Sequence, residues 1–138
     1  LVILFQLAQM LAAVPFALLR QGFAIPGNAA GMDAGIALFG LALPMLGIFN
    51  RIFLGSFFRQ PMKVGTAFLK GCVGLTVCMA LAETAVFTVP FFRDCLDTPD
   101  PEHLGAKLVV LAIGAALYAA LNAIAYRNCV KTFEKVDL

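Results

Sequence analysis

Glu83 is the residue whose type and position most strongly suggest chemistry. It lies in the stretch MALAETAVF inside a long apolar run, where a charged side chain in a bilayer costs roughly 2.5 to 3.5 kcal/mol on insertion scales. A carboxyl group retained there either lines a transport or coupling pathway or packs by hydrogen bonding to a neighbouring helix. The candidate packing partners are Gln6, Gln9 and Asn122.

The stretch NRIFLGSFFRQPMK, residues 50–63, combines aromatic and basic side chains. Such a segment can lie along the cytoplasmic membrane interface, with its rings at the acyl boundary and its cations among anionic headgroups. A partner protein that docks there is the second interpretation. The residues that would make this contact are Arg51, Phe57, Phe58, Arg59 and Lys63.

The end of the chain has a helical pattern with two unlike faces. Tyr126, Val130 and Phe133 recur at steps of three and four and share one side. The opposite side carries charge, from Arg127, Lys131, Glu134 and Lys135. The pattern predicts a helix that continues past the membrane, and its apolar stripe is either a second partner contact or a simple stop-transfer anchor.

Catalytic and metal-binding motifs are missing from the sequence. There is no GxSxG, no HExxH and no GxxxxGK[ST], and no second catalytic group accompanies Glu83. The single histidine and four cysteines without a CxxC do not suggest a metal site. We therefore expect no catalytic, cofactor-binding or metal-binding residue and no enzyme activity. If ATP drives the protein, a separate subunit hydrolyses it.

Composition indicates an integral membrane protein. Hydrophobic residues make up 62% of the 138 residues and charged residues 13%, against about 45–50% and about 25% in soluble domains. The mean hydropathy is +0.93, and the apolar residues form runs long enough to cross a hydrocarbon core of about 30 Å. A net charge of +2 without a basic cluster argues against nucleic acid as a partner.

The expected fold is an all-α, polytopic bundle of transmembrane helices in one domain. We predict four spans and a cytoplasmic tail, at about 1–19, 31–49, 66–92 and 106–126, and at 127–138. In the fourth span, two alanine stripes repeat at steps of four, a spacing that lets helix backbones approach closely. They indicate packing inside the chain's own bundle or, alternatively, a dimer interface.

Lysines and arginines in the short loops set the expected orientation. Seven of them fall in the 50–70 segment and the tail, namely Arg51, Arg59, Lys63, Lys70, Arg127, Lys131 and Lys135. The opposite loops hold three, namely Arg20, Arg93 and Lys107. We therefore predict that the 50–70 segment and the C-terminus are cytoplasmic and that 93–107 is extracytoplasmic. Since Leu1 already lies inside an apolar run, we also expect this chain to be a fragment with further spans before it.

Two stretches resemble a known family. GIFNRIFLGSFFRQPMKVGTAFLKG, Gly47–Gly71, is similar to the segment that joins two spans in small bacterial ABC transporter permeases of the type-2 exporter class. YRNCVKTFEKVDL, Tyr126–Leu138, resembles the basic, phenylalanine-containing helix ending in Val-Asp-Leu with which such permeases often close.

The resemblance implies a six-span permease in the bacterial inner membrane, of which this chain holds four spans. It also implies a homo- or heterodimer of permease subunits, powered by cytoplasmic ATPase subunits that bind ATP. Glu83 would then lie near the translocation interface, while 50–63 and the tail would face the ATPase. The expected function is that of a permease subunit forming the translocation path of an exporter. The alternative is a multi-span scaffold or assembly protein without transport activity.

Overall fold

A computed structural model describes residues 2–22, 35–96 and 103–133 of the chain. The described residues are almost entirely helical and contain no strand, so the prediction of an all-α fold is confirmed. The four α-helices are α1 Val2–Gly22, α2 Ile36–Arg59, α3 Val64–Thr88 and α4 Leu104–Phe133.

Two short helical turns lie between the long helices. Gln60 and a 3₁₀ turn at Pro61–Lys63 join α2 to α3, and a π-helical turn at Phe92–Leu96 follows α3. Residues 50–59, which the sequence placed after the end of the second span, are the last turns of α2, and their position along the membrane interface stays a prediction. The helix also continues through Pro44, as α1 does through Pro15. Prolines are common in membrane helices, where neighbouring groups satisfy the freed carbonyls.

Three helical segments are long and apolar enough to cross a membrane: Ile36–Arg59, Pro61–Thr88 and Leu104–Phe133. The described apolar part of α1, Ile3–Phe16, is shorter than a span requires. Within the described residues the structure therefore supports a membrane protein with three candidate spans, and the predicted span at 1–19 stays a prediction.

The helices expose more large apolar side chains than a surface in contact with water normally carries. Leu11 and Phe16 on α1 and Phe87 on α3 are each more than 70% exposed. Only 11% of the most apolar part of α3 is buried. Contiguous apolar surface of this extent marks contact with lipid or with another protein.

The chain divides into two compact units. Unit 1 comprises Leu1–Ala42 and Thr84–Gly114. In it, α2 and α4 meet backbone to backbone: a Cβ on Gly40 would lie 2.8 Å from backbone atoms of Val110 and Leu111, and one on Gly114 would collide with the Gly40 carbonyl. Only glycine fits at both positions. Such close approach brings Cα–H groups near carbonyl oxygens and improves van der Waals contact, which drives helix association in lipid.

Unit 2 comprises Leu43–Glu83 and Ala115–Leu138. Here α4 buries one stripe at steps of three and four, formed by Tyr118, Asn122, Ala125 and Cys129. Facing contacts are again made at glycines, since a Cβ on Gly47 would lie 2.9 Å from Leu121, and one on Gly71 would lie 2.8 Å from Phe49.

The alanine stripes of α4 do not pack inside the bundle. Their six members are all exposed, namely Ala112, Ala115, Ala116, Ala119, Ala120 and Ala123. The interpretation that these alanines serve packing within the chain is therefore wrong, because α4 uses Gly114 and the Tyr118 stripe for that purpose. A dimer interface at the alanines stays a prediction.

The glycine crossing in unit 1 gives the first prediction. Gly114→Ala should lower the free energy of unfolding by about 1 to 3 kcal/mol, because the added methyl forces the two backbones apart. The measurement is an SDS titration of the purified protein in neutral micelles, followed by far-UV circular dichroism. Gly65→Ala is the control, since a Cβ there meets no atom within 4 Å. Equal stability of the two variants would contradict the crossing.

Candidate functional site

A buried pair of asparagines joins α2 to α4 inside unit 2. The Asn50 side-chain amide donates a hydrogen bond to Asn122 Oδ1 at 3.0 Å, and Asn122 Nδ2 donates to the Tyr118 carbonyl oxygen at 2.9 Å. Asn50 is 1% exposed and Asn122 is 7% exposed. The Tyr118 side chain also forms hydrogen bonds with both asparagines. We call these three residues the polar clamp.

In the polar clamp, Asn122 has different hydrogen-bond partners from the one that the sequence suggested. The sequence suggested Asn122 as a partner of Glu83, whereas the structure uses both ends of the Asn122 amide for Asn50 and Tyr118. Asn50 was not among the predicted polar residues, because the predicted second span ends at residue 49. The available signal was a lone amide in an apolar helix, since buried amides in membrane helices bond across to a neighbour.

A polar groove lies beyond the polar clamp, between the last turns of α2 and α4 in unit 2. Its volume is about 490 Å³. The side chains that line it are Arg51, Ile52, Gly55, Ser56 and Arg59 from α2, and Ala125, Asn128, Lys131 and Thr132 from α4. We call this feature the cationic groove, because three of its nine described lining residues are basic and none of these nine is acidic.

The lining of the cationic groove combines covered side chains with exposed cations. Ala125 is 2% exposed, and Ile52, Ser56 and Thr132 are half-buried. The basic side chains at Arg51, Arg59 and Lys131 are exposed. The cations are therefore accessible from outside, while part of the lining is covered by helix packing.

The groove exists because α2 and α4 run in the same direction in unit 2. Contacts between them advance together along both helices, from Gly47 with Leu121 to Asn50 with Asn122 and then to the groove. The carboxyl ends of the two helices therefore lie side by side. Arg51 and Arg59, predicted as partner contacts, thus meet Lys131, which the sequence placed on the charged face of the tail.

The other predicted partner contacts lie outside the groove. Phe57 and Phe58 are half-buried and pack edge to face at 5.4 Å. Phe57 also extends a stacked row with Phe53 and Phe49 along α2. Lys63 is exposed on the 3₁₀ turn. Tyr126, Val130 and Phe133 are all exposed on α4, Tyr126 at 68%.

The remaining predicted polar residues lie on α3 and α1. Glu83 is exposed on α3, about 20 Å along the helix from Lys70 and about 7 Å from its last residue, Thr88. On α1, Gln6 is half-buried and Gln9 is exposed. Within the described part of the chain, no group of three His, Cys, Asp or Glu residues is placed to hold a metal ion.

The polar clamp gives the second prediction. Asn50→Ala and Asn122→Ala should each destabilise the protein, and their double-mutant cycle should show a coupling free energy of about 1 kcal/mol. The measurement is the free energy of unfolding of the four proteins in neutral micelles. Asn128→Ala serves as the control, because its side chain is exposed on the same helix. Additive effects of the two substitutions would show that the hydrogen bond contributes nothing to stability.

Comparison of the chain with protein-family models, with curated proteins and with solved structures gives no match in any of the three. The resemblance to ABC transporter permeases therefore rests on the two stretches Gly47–Gly71 and Tyr126–Leu138 alone. Any function assigned to the chain has to be argued from its membrane helices, from Glu83 and from the cationic groove.

Proposed function

We propose that this chain is a membrane-spanning permease subunit of an exporter, that it helps to form the translocation path, and that a separate cytoplasmic ATPase subunit powers it. The observation that carries the proposal is the position of Glu83, a carboxyl group exposed on the apolar surface of a candidate membrane span. A scaffold built only to hold partners has no use for an ionisable group at that place.

The surroundings of Glu83 make contact with lipid costly. The helix carries no other charged residue between Lys70 and its end at Thr88. The neighbouring surface is apolar, with Met79 and Phe87 exposed. Ionisable side chains in membrane segments normally face another helix or a water-filled cavity. A second permease subunit that faces α3 would supply a neighbouring helix, and the translocation path between the two subunits would supply a water-filled cavity.

The carboxyl ends of α2 and α4 supply the place for an ATPase partner. Phe57 and Phe58 lie outside the groove on the last turn of α2, and Lys63 is exposed on the turn that follows. Tyr126 and Phe133 are exposed on the last turns of α4. The count of basic residues assigns this end to the cytoplasm. In the proposed topology α1 is the first of four spans and both ends of the chain are cytoplasmic.

The proposal predicts that the full-length protein, purified from its native membrane in mild detergent, carries an ATPase subunit. ATP hydrolysis by that subunit should be faster with this chain than without it, because permease and ATPase are coupled. Glu83→Gln should reduce this stimulation about ten-fold or more, since an intramembrane carboxylate in a pathway cannot be replaced by an amide. The measurement is the ATPase rate of each complex in lipid nanodiscs.

Thr76→Val is the matched control for Glu83→Gln. Thr76 lies two turns earlier on the exposed face of α3, and its hydroxyl group donates to the Cys72 carbonyl within the helix. This variant should keep the stimulation. Purification without any ATPase would favour a scaffold, and full stimulation in Glu83→Gln would remove Glu83 from the mechanism.

The proposed sidedness predicts a labelling pattern. All four native cysteines are free thiols, so they are first replaced by alanine, and a single cysteine is introduced at Asp97→Cys or at Lys135→Cys. In intact cells a membrane-impermeant thiol reagent should label Asp97→Cys only, because 93–107 is extracytoplasmic. Permeabilised cells should show labelling of both variants. The reverse pattern in intact cells would invert the orientation.

A further inference from the structure

We propose that the cationic groove binds the headgroup of an anionic phospholipid, with the phosphate held by Arg51, Arg59 and Lys131. This inference concerns a lipid site and stands whether or not the chain is a permease. It is argued from the chemistry of the lining, the shape of the groove and its position along the two helices.

The lining has the chemistry of a phosphate site. Arginine offers a planar fork of donors that matches phosphate oxygens, and lysine adds a point charge. Among the residues that the structure describes, no acidic side chain lines the groove and none of its three cations forms an ion pair. The Thr132 hydroxyl group already donates to the Asn128 carbonyl at 2.8 Å. Ser56 and the Asn128 amide are the polar neutral groups that complete the lining.

The shape of the groove admits more than a bare ion. A volume of about 490 Å³ falls within the range of about 300–1,000 Å³ that is usual for small-molecule sites. Gly55 lines the groove, and a Cβ built on it meets no atom within 4 Å. The space beside Gly55 and above Ala125 can receive the glycerol part of a headgroup next to its phosphate.

The position along α4 places the groove at headgroup depth. From Leu104 to Ala125 the helix rises about 32 Å, which is about the thickness of the hydrocarbon core. Asn128, Lys131 and Thr132 then extend into the headgroup layer.

This depth favours a lipid over an acidic segment of a partner protein. An acidic peptide would have to reach Arg51, which lies eight residues before the end of α2 at Arg59, about 12 Å nearer the membrane centre. Favourable interaction with the helix dipole accounts for cations in the last turn of a helix. It accounts for Arg59 and Lys131 but not for Arg51, whose place in the groove lining a bound anion would explain.

The test compares two triple variants of the full-length protein in neutral micelles. The first, Arg51→Gln/Arg59→Gln/Lys131→Gln, removes the groove cations. The second, Lys63→Gln/Lys70→Gln/Arg127→Gln, removes the same charge from exposed positions of unit 2 outside the groove. The probe is dioctanoyl phosphatidylglycerol, with dioctanoyl phosphatidylcholine and inorganic phosphate as comparisons, and the readout is the dissociation constant from thermophoresis.

We expect phosphatidylglycerol to bind more tightly than phosphatidylcholine. The groove variant should weaken its binding about ten-fold or more, because charge-assisted hydrogen bonds to the phosphate are lost. The control variant should change it by less than about two-fold, since its three side chains do not line the groove and make no hydrogen bond to the phosphate. Circular dichroism confirms that both variants remain folded.

A steric pair of variants tests the site without removing charge. Gly55→Leu fills the groove and should weaken phosphatidylglycerol binding as strongly as the charge variant does. Gly65→Leu places the same side chain in open space on α3 and should leave binding unchanged.

Four results would overturn the proposal. They are equal loss of binding in both triple variants, no preference for the anionic lipid, unchanged binding in Gly55→Leu, and tighter binding of a glutamate-rich peptide than of the lipid. Inorganic phosphate that competes at the same concentration as the lipid would also overturn it, because the source of the bound anion would then be free phosphate.

Discussion

The packing of α2 against α4 is the constraint on which the other features depend. Lipid tails are as apolar as leucine, so burial of apolar surface does little to hold helices together in a bilayer. Association has to come from close contact and from hydrogen bonds. The chain uses both, with the Gly40–Gly114 contact in unit 1 and the Asn50–Asn122 hydrogen bond in unit 2. Without this packing there would be no cationic groove, because each of its walls belongs to one of the two helices.

The surfaces that this pairing leaves uncovered fall into two kinds. The exposed face of α3 is apolar with one carboxyl group, at Glu83. The exposed face of α4 carries small residues, such as Ala116 and Ala120. Small residues permit close helix contact in lipid, and a carboxyl group at membrane depth requires a polar neighbour. Both faces are suited to contact with further membrane helices.

Periodicity and composition predicted the class of fold, because long apolar runs without charge have few other structural solutions. The boundaries were predicted less well. The cation at Arg51 suggested the end of a span, yet the helix continues through it to Arg59, since long basic side chains can extend towards the interface while the backbone stays helical. The 3₁₀ turn at Pro61–Lys63 follows the true end. Pro61 stands at the start of that turn, where the missing N–H costs no hydrogen bond, which makes Pro61 the better signal.

The pairing of side chains between helices could not be predicted from one sequence. Asn122 was identified as a polar group needing a partner, but spacing along one helix does not specify which residue of another helix faces it. Lys107 shows the same limit. It was counted as a loop cation, yet it is fully buried in unit 1, at the start of α4. Likewise, whether Gly114 or the alanine stripes form the packing contact depends on which face of α4 meets α2, and one sequence does not specify that face.

In the proposed topology and the proposed lipid site, the basic residues of unit 2 would meet two separate demands. Cations on the cytoplasmic side of a membrane protein favour its orientation wherever they stand on that side. Lys63, Lys70 and Arg127 can meet that demand without lining the groove. Arg51, Arg59 and Lys131 line one groove, and like charges placed close together repel one another. Orientation does not require them to share a groove. A phosphate bound there would interact favourably with all three cations, so a ligand explains their shared position better than the rule that orients the chain.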